Sequence, residues 1–451
     1  MDYESFKEKL FARAGEYGFT DCELYYSASK NFSVRVFGGE INEYENTESI
    51  GASFRGTYGG RVGYAFTEKL DESVIEGLVV NAAGNAAIIE EEEIEKLFEG
   101  CEAYPEVKNY NDVLEKYSAA EKIETATAME KYAFSLDGRI VSVDYCGVET
   151  GEDEVRISNS YGLDLHDRSN FAAAYVLPRA VEDGVTKTGF ELWHGNDLAE
   201  FSYEAAARTA VGRALSSLGA KSAESGDYKI VFENRSAVYL LACFSSVFFA
   251  ENAQKGFSLL KGKTGETIAN ETVTLRDDGV CGKSFKSPPF DSEGVATQNK
   301  AVIENGVLKT LLYNLKSAAK DGAESTGNGF KPNYGGTVAT SCTNFYLAPS
   351  ETPFDKMLEE AGSGILITDL AGLHSGSNTV SGDFSFSADG FMIENGKKGR
   401  PVEQITVAGN FFELLKNIVI VASDLKFSPP GNSGSFGTPS FLVSGLRVSG
   451  L

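Results

Sequence analysis

The chain has 451 residues, of which 42% are hydrophobic and 24% charged, and its 65 acidic and 41 basic side chains give a net charge of −24. These proportions exclude a disordered or fibrous chain, and the length suits about two or three domains. The acidic balance argues against nucleic-acid and membrane partners, because nucleic acids and anionic membranes both attract basic surfaces.

The first predicted unit, residues 1–95, combines helices with antiparallel strands. Apolar residues recur at helical spacing over 3–18, and a second helix is predicted over 71–88. Between the helices, short stretches that alternate apolar and polar residues are separated by glycine-rich turns, which is typical of an antiparallel sheet. The run from Glu90 to Glu93 favours a solvated helix end or a linker over a binding tail.

The second predicted unit, residues 110–220, repeats this layout. We predict, in chain order, a long helix over 111–135, strands over 139–149, 153–160, 165–178 and 185–195, and a helix over 200–218. The repeated order of helix, strands and helix suggests two related units, which can also merge into one.

The remainder, residues 227–451, mixes helical and strand periods. Two sets of apolar residues with i, i+3, i+4, i+7 spacing predict helices, namely Leu308, Leu311, Leu312 and Leu315, and Phe411, Leu414, Leu415 and Ile418. Strands and helices do not alternate regularly, which favours an α+β fold over a doubly wound sheet. We therefore predict an α+β protein with an N-terminal region of helices and antiparallel sheet, followed by a larger mixed domain.

Targeting and redox features indicate a cytoplasmic protein. The N-terminal sequence lacks the basic and apolar regions of a signal peptide, and the longest apolar run, 237–250, is shorter than the roughly 20 residues that span a membrane. The six cysteines contain no CxxC pair, so their spacing fits neither a disulfide framework nor a tetrahedral zinc site. We expect reduced thiols.

Few residues have the spacing of a known catalytic motif. The histidines, His166, His194 and His374, lie far apart, so HExxH is absent, and each is more typical of a hydrogen-bonded or surface position. The dinucleotide motif GxGxxG and the nucleophile elbow GxSxG are also absent.

Two acidic turns are candidates for a site. One contains Asp291, Ser292 and Glu293, and the other contains Ser381 and Asp383. Paired carboxylates can perform acid–base chemistry when burial separates their pKa values. On the residues alone, we favour the simpler interpretation that each aspartate accepts hydrogen bonds from turn amides.

The C-terminal region resembles a known family. The resemblance is carried, in order, by PPFDSEGVAT (288–297), ENGVLKTLLYN (304–314), STGN (325–328), TVSGDFSFSADGFMIENGK (379–397), PVEQITVAGN (401–410) and GTPSFLV (437–443). These segments are similar to the TldD/PmbA family, also called the modulator of DNA gyrase family. The match covers about 227–451, and the N-terminal part agrees more weakly.

The resemblance also indicates a branch of the family. The TldD branch carries HExxxH on a helix and a later cysteine, and these groups bind zinc. The helix that we match to it is 237–251, where the corresponding positions hold Ala242, Cys243 and Val247, and the later turn over 431–437 has no cysteine. The chain therefore resembles the PmbA/TldE branch, and we expect neither a metal site nor catalytic residues in it.

The family implies a function in peptide proteolysis. A PmbA/TldE-like subunit pairs with a TldD-like metalloprotease subunit that holds the zinc, and the pair trims unfolded or leader peptides. We expect Tyr239, Leu240, Phe244, Val247 and Phe248 to fill a core. We expect Asp291, Ser292, Glu293, Ser381 and Asp383 to line the shared cavity or an interface. Alone, the chain could form a two-fold homodimer.

Two alternatives stay open. An independent hydrolase with a rebuilt site would bring Asp291, Asp383 and His374 within about 6 Å of one another, near enough for their charges to couple. A homo-oligomeric regulator would instead bind another protein, since the acidic charge disfavours direct contact with DNA.

Overall fold

The computed structural model describes residues 1–89, 96–282, 287–431 and 433–450. The fold is α+β, as predicted. The run from Glu90 to Glu93 lies outside the described residues. The N-terminal elements are α1 (Tyr3–Tyr17), β1 (Phe19–Phe37), β2 (Glu40–Tyr58), β3 (Arg61–Thr67), α2 (Glu72–Ile88), α3 (Ala119–Leu136), β4 (Ile140–Asn159), β5 (Asp164–Glu182), β6 (Val185–Thr188), β7 (Glu191–Gly195) and α4 (Tyr203–Ser216).

The strands of both N-terminal units belong to one seven-stranded antiparallel sheet. Its order is β3-β2-β1-β4-β5-β6, and β7 also pairs with β5. β1 and β4 join the two units through an unbroken register from Glu23↔Asn159 to Arg35↔Gly147. β1, β2, β4 and β5 each have 19 or 20 residues, so they are much longer than the usual strand.

The helices α1, α2, α3 and α4 cover one face of this sheet. α1 and α2 pack on residues such as Leu24 and Phe54, whereas α3 and α4 pack on residues such as Val34 and Val148. Because side chains alternate between the two faces of a strand, the odd-numbered residues of β1 from Glu23 to Arg35 point away from these helices. That second face, which we call the open face, is turned towards loops of the C-terminal domain.

The described part of the C-terminal domain contains three sheets. Its elements are β8 (Gly226–Phe232), α5 (Asn234–Phe244), α6 (Ala250–Gln254), β9 (Leu275–Asp278), β10 (Asn299–Glu304), β11 (Val307–Leu308), α7 (Leu315–Asp321), β12 (Gly329–Phe330), β13 (Ala339–Thr340), β14 (Asn344–Leu347), α8 (Phe354–Ala361), β15 (Gly364–Ala371), β16 (Asp383–Glu394), β17 (Lys397–Asn410), α9 (Phe411–Asn417), β18 (Ile418–Val421), β19 (Lys426–Phe427), β20 (Ser435–Thr438) and β21 (Phe441–Ser449).

The main C-terminal sheet closes on itself. Its strand order is β17-β16-β15-β8-β21-β18, and a further pairing of β17 with β21 completes a ring of five strands. A second six-stranded sheet has the order β11-β10-β9-β14-β20-β19, and β12 pairs with β13. The apolar residues of these sheets and of α5 form the largest hydrophobic core of the described chain. None of the helices in the described ranges is both long and apolar enough to span a bilayer.

Several predicted boundaries are wrong. The strands predicted over 139–149 and 153–160 are one strand, β4, because Gly151 lies inside the ladder and does not end it. The helix predicted over 111–135 begins only at Ala119, where Ser118 and Glu121 form a capping box that fixes the helix start. The predicted helix at Leu308–Leu315 is also wrong.

Burial in the core, and not the helical spacing of its leucines, determines the backbone of Leu308–Leu315. Val307–Leu308 is a short strand, Leu312 forms a bridge with Phe249, and α7 begins at Leu315. Leu308, Leu311 and Leu312 are all buried in this mainly extended segment. An apolar run that is buried on several sides cannot be assigned from periodicity alone.

Candidate functional site

The first acidic turn lies where the C-terminal domain meets the N-terminal sheet. A bridge between Phe290 and Ala296 closes it, and the Asp291 amide donates to the Val295 carbonyl at 2.9 Å. Gly294 has φ +85°, and a Cβ there would lie 2.5 Å from a methyl carbon of Leu163. Glycine is therefore needed both for the backbone conformation and for the close approach to the N-terminal unit.

Asp291 is a buried acceptor, with only 1% of its surface exposed. Its Oδ1 accepts hydrogen bonds from the amides of Glu293 and Val295, and its Oδ2 accepts one from the Gly329 amide at 2.8 Å. Burial, followed by the nearby charge of Glu293, raises the pKa of Asp291 well above its usual value, although the three amides act in the opposite direction. Asp291 thus accepts hydrogen bonds from backbone amides, as the simpler interpretation of the sequence predicts.

Glu293 and Ser292 connect the same turn to neighbouring loops. Glu293 Oε2 accepts a hydrogen bond from the Leu315 amide at the start of α7, and Ser292 Oγ accepts one from the Lys331 amide. A Cβ on Gly329 would lie 2.3 Å from Glu293 Oε2, so only glycine fits beside this carboxylate without a rearrangement.

Lys331 reaches from this turn to the open face of the N-terminal sheet. Its Nζ donates to Ser53 Oγ at 2.9 Å and lies 4.6 Å from the ring centroid of Tyr25 and 5.1 Å from that of Tyr64. Burial lowers the pKa of Lys331 to about 7, and the charge of Glu23 opposes this effect. Lys331 was not predicted as a site residue.

A buried ion pair lies beside Lys331 on the sheet. The guanidinium of Arg55 donates to both carboxylate oxygens of Glu23, with both distances at 3.0 Å, and the two side chains are almost fully buried. The pair and Lys331 together place three ionisable groups between the sheet and the C-terminal loops. Such pairs are costly to break, because the remaining charge would be buried without a partner.

Two cavities lie between the open face and the C-terminal loops. The smaller has a volume of about 260 Å³, and its lining includes Asp291, Ser292 and Lys331. The larger has a volume of about 720 Å³ and is lined by residues of β4 and β5 together with Pro429 and Pro430. Of the five residues expected to line a cavity, Asp291 and Ser292 line the smaller one, whereas Glu293, Ser381 and Asp383 line neither.

The second acidic turn lies at the surface. Ser381 Oγ donates to Asp383 Oδ2 at 2.8 Å, and Asn410, the residue that caps α9, donates to Asp383 Oδ1 at 2.9 Å. These hydrogen bonds lower the pKa of the exposed Asp383. His374 is also exposed. The structure thus gives Asp291 a buried environment and Asp383 an exposed one, and within the described ranges the two side chains share no hydrogen-bond partner.

The helix that we matched to HExxxH is broken. Instead of one helix over 237–251, the structure has α5, a 3-10 turn over Ser245–Phe248 and the short α6, because the chain turns where Phe249 pairs with Leu312. Leu240, Phe244, Val247 and Phe248 are buried as predicted, but Tyr239 is 49% exposed.

The three matched positions have little in common with metal ligands. Ala242 is partly buried, Val247 is fully buried, and the Cys243 thiol donates to the Leu373 carbonyl at 3.8 Å. Burial raises the pKa of Cys243, which disfavours the thiolate that a metal would need. The side chains at these positions therefore do not fit a zinc ion.

The histidines lie on other elements. His166 on β5 contacts Glu154 at 2.9 Å, and His194 on β7 contacts the Phe427 carbonyl at 3.0 Å. Within the four described ranges, no three His, Cys, Asp or Glu side chains are close enough together to hold a metal ion.

Domain models of one family match three parts of the chain. They are PmbA/TldA metallopeptidase domain 1 over residues 22–87, the central domain over 112–218 and the C-terminal domain over 225–450. The three matches follow one another along the chain and together cover most of the sequence.

Full-length relatives agree with these matches. An uncharacterized protein of Methanocaldococcus jannaschii is 30% identical over 420 residues, which cover 91% of this chain and 94% of the relative. A metalloprotease PmbA homolog of Haemophilus influenzae is 26% identical over 466 residues, which cover 99% of this chain and 95% of the relative.

Solved structures show the same fold. A candidate modulator of a DNA gyrase from Thermotoga maritima has a TM-score of 0.91 and 33% identity, over 99% of this chain and 100% of that chain. TldE from Thermococcus kodakarensis has a TM-score of 0.90 at 23% identity, over 98% of this chain and 100% of that chain. From the domain matches and these relatives, we conclude that the chain belongs to the PmbA/TldD metallopeptidase family.

Proposed function

We propose that this chain is the PmbA/TldE-like subunit of a two-component metalloprotease, in which a TldD-like partner holds the zinc ion. The observation that carries the proposal is the set of side chains at the positions matched to HExxxH. Ala242, Cys243 and Val247 offer two apolar side chains and one thiol that is hydrogen-bonded to a carbonyl. Zinc in a catalytic site needs three protein ligands, which this set cannot supply.

The two acidic turns take different roles in this proposal. Asp291 and Ser292 line the smaller cavity, so they would shape the space in which an unfolded or leader peptide lies. Glu293, which does not line the cavity, would hold this turn in place through its hydrogen bond with the Leu315 amide. Ser381 and Asp383 are solvent-accessible beside Val380, which is 39% exposed, and we assign this turn to the surface that meets the partner.

The proposed location is the cytoplasm. None of the six cysteines, all of which lie in the described ranges, forms a disulfide, and Cys22, Cys146, Cys281 and Cys342 are buried. Cysteines without disulfides in a chain of this size are typical of a reducing compartment.

The test uses the full chain alone and together with a TldD-like subunit from the same source. We expect the isolated chain to purify without stoichiometric zinc and to leave an unstructured peptide intact, and the mixture to cleave it in a zinc-dependent manner. Metal content is measured by elemental analysis and cleavage by mass spectrometry.

Two variants serve as matched controls for this test. Replacing the glutamate of HExxxH in the partner should abolish cleavage by the mixture, whereas Cys243→Ala in this chain should leave it unchanged, since Cys243 holds no metal in our proposal. Zinc-dependent cleavage by the isolated chain that is lost in the Cys243→Ala variant would contradict the proposal.

A further inference from the structure

A third cavity lies between the second N-terminal unit and the main C-terminal sheet. Its volume is about 440 Å³, within the range of roughly 300–1,000 Å³ that is typical of small-molecule sites. Residues 186–190 and the end of α4 form one side of it, and residues of β15, β16 and β17 form the other. A molecule bound in this cavity would therefore contact both parts of the protein.

The charged side chains that line this cavity balance one another. Four are basic and four are acidic, so the lining has no net charge. Most of them are engaged within the protein, through the ion pairs Lys187–Glu403, Arg213–Glu191 and Arg235–Asp369. Asp389 accepts a hydrogen bond from the Gln404 amide at 3.2 Å. Glu233 and Lys398 remain, and they have opposite charges.

Glu233 carries a carboxylate that the fold does not use. It precedes α5, but its side chain makes no hydrogen bond with the first amides of that helix. Within the described ranges, neither a hydrogen bond nor an ion pair engages this carboxylate. Burial raises the pKa of Glu233, and the charges of Arg235, Arg213 and Lys398 oppose this effect. A partly buried carboxylate in this state is stabilised by a cation that reaches it through the cavity.

Lys398 supplies the opposite charge. Its Nζ lies 3.5 Å from the centroid of the Phe391 ring, which also lines the cavity. None of the carboxylates in the described part of the chain forms an ion pair with this ammonium. Partial burial lowers the pKa of Lys398, and the charge of Glu233 opposes this effect. The two charges therefore influence each other across the cavity without direct contact.

The opposite signs of these two groups limit which ligand fits. An anion such as phosphate would be attracted by Lys398 and repelled by Glu233, and a cation would be attracted and repelled in the reverse sense. A molecule with both an ammonium group and a carboxylate can contact both side chains and leaves the lining neutral. Phe190, Phe391 and Val402 supply apolar surface for the rest of the ligand.

We propose that this cavity binds a zwitterionic amino acid or short peptide with an apolar side chain, its ammonium group at Glu233 and its carboxylate at Lys398. Because such a ligand would join the second N-terminal unit to the main C-terminal sheet, it should also stabilise the folded protein. Binding does not require a TldD-like partner, so the test is separate from that of the proposed function.

Isothermal titration calorimetry of the full chain tests the two contacts. The probes are leucine and the dipeptide of two leucines, and the comparison of the two shows whether a free amino acid or a peptide is preferred. Each probe is compared with its N-acetylated form, which lacks the ammonium group, and with its amide, which lacks the carboxylate. We expect the preferred probe to bind about tenfold more tightly than either of its blocked forms.

Three variants assign the contacts to the two side chains. Glu233→Gln should weaken binding of the preferred probe about tenfold and remove its advantage over the N-acetylated form, while its advantage over the amide remains. Lys398→Gln should remove the advantage over the amide and keep the other. Lys397→Gln is the matched control and should change neither, because Lys397 is the exposed neighbour on β17 and does not line the cavity.

All three variants should fold, since Glu233 makes no capping hydrogen bond and both lysines are exposed. A ligand-dependent rise of the unfolding midpoint in wild type that is lost in Glu233→Gln would support the proposed site. No binding of either probe at about 10 mM, equal affinity for a probe and both of its blocked forms, or unchanged selectivity in both cavity variants would overturn it. An effect of Lys397→Gln as large as that of Lys398→Gln would also overturn it.

Discussion

The two acidic turns look alike in sequence and differ in the folded protein. Each contains an aspartate, a serine and a glycine within four residues, between apolar segments. Asp291 is 1% exposed and bonded to three backbone amides, whereas Asp383 is exposed and bonded to the side chains of Ser381 and Asn410. The difference comes from the N-terminal sheet, which covers the first turn and leaves the second at the surface.

The same kind of turn hydrogen bond therefore contributes more to stability in the first turn than in the second. An amide that loses its acceptor in a buried turn cannot be rehydrated, whereas an exposed one can bind water.

The largest effect is expected for Asp291→Ala. Three buried amides would lose their acceptor, and we expect the free energy of unfolding to fall by roughly 3–5 kcal/mol, measured by urea unfolding. Asp291→Asn should cost less, because it keeps an oxygen for the amides of Glu293 and Val295 and loses the contact with Gly329. A loss below about 1 kcal/mol for Asp291→Ala would show that the buried hydrogen bonds of this turn contribute little to the free energy of unfolding.

The next effect is expected for Gly329→Ala. Its new Cβ would meet Glu293 Oε2 at 2.3 Å, so the carboxylate must move, and we expect a loss of about 1–3 kcal/mol in urea unfolding. Gly77→Ala is the control, because Gly77 is exposed on α2 with no atom within 4 Å of the new Cβ. It should stabilise the protein by about 0.5–1 kcal/mol. Equal effects of the two substitutions would contradict the close approach.

A pH-dependent effect is expected for Lys331, which borders the buried turn. The pKa of Lys331 is about 7 in the folded protein, below the value of 10.5 for an unperturbed lysine. Between these values the unfolded chain binds more protons, so this group makes the free energy of unfolding rise as the pH increases from about 7 to about 10. Below pH 7 its full burial cost opposes folding.

Lys331→Met removes this contribution. Between pH 7 and pH 9, wild type should gain on the order of 1 kcal/mol of stability relative to the variant, as measured by urea unfolding at both pH values. Other titrating groups cancel in the difference between the two proteins. Parallel pH profiles would show that Lys331 stays hydrated.

The smallest effect is expected for Asp383→Ala at the exposed turn. Its hydrogen bonds to Ser381 and Asn410 compete with water, so we expect a loss below about 1 kcal/mol in urea unfolding. Asp383→Asn should be close to wild type, because an amide can keep one acceptor for Asn410. A loss as large as that of Asp291→Ala would remove the distinction between the turns.

Local signals explain what the sequence could predict. α1 begins after the Asp2 cap and ends at Gly18 in a left-handed conformation, and α9 follows the Asn410 cap. Such caps and periodic apolar residues act within one element, so they can be identified without the rest of the fold. The β character of residues 440–448 likewise indicates a strand, and the structure has one, Phe441–Ser449, inside the main C-terminal sheet.

Long-range contacts explain what could not be predicted. Lys331 becomes unusual only because Tyr25, Ser53 and Tyr64, more than 250 residues earlier, enclose its amine. Likewise, the break after α5 depends on the pairing of Phe249 with Leu312. No spacing within either segment carries this information, since the partner lies in a distant part of the chain.

The register between β1 and β4 has a consequence for synthesis on the ribosome. Arg35 pairs with Gly147 and Glu23 with Asn159, so the central strand emerges more than a hundred residues before its neighbour. At 5–20 residues per second, this delay is roughly 5 to 30 s. During that interval one edge of the nascent β1–β2 ribbon lacks its partner strand, and it is open to chaperones or to other nascent chains.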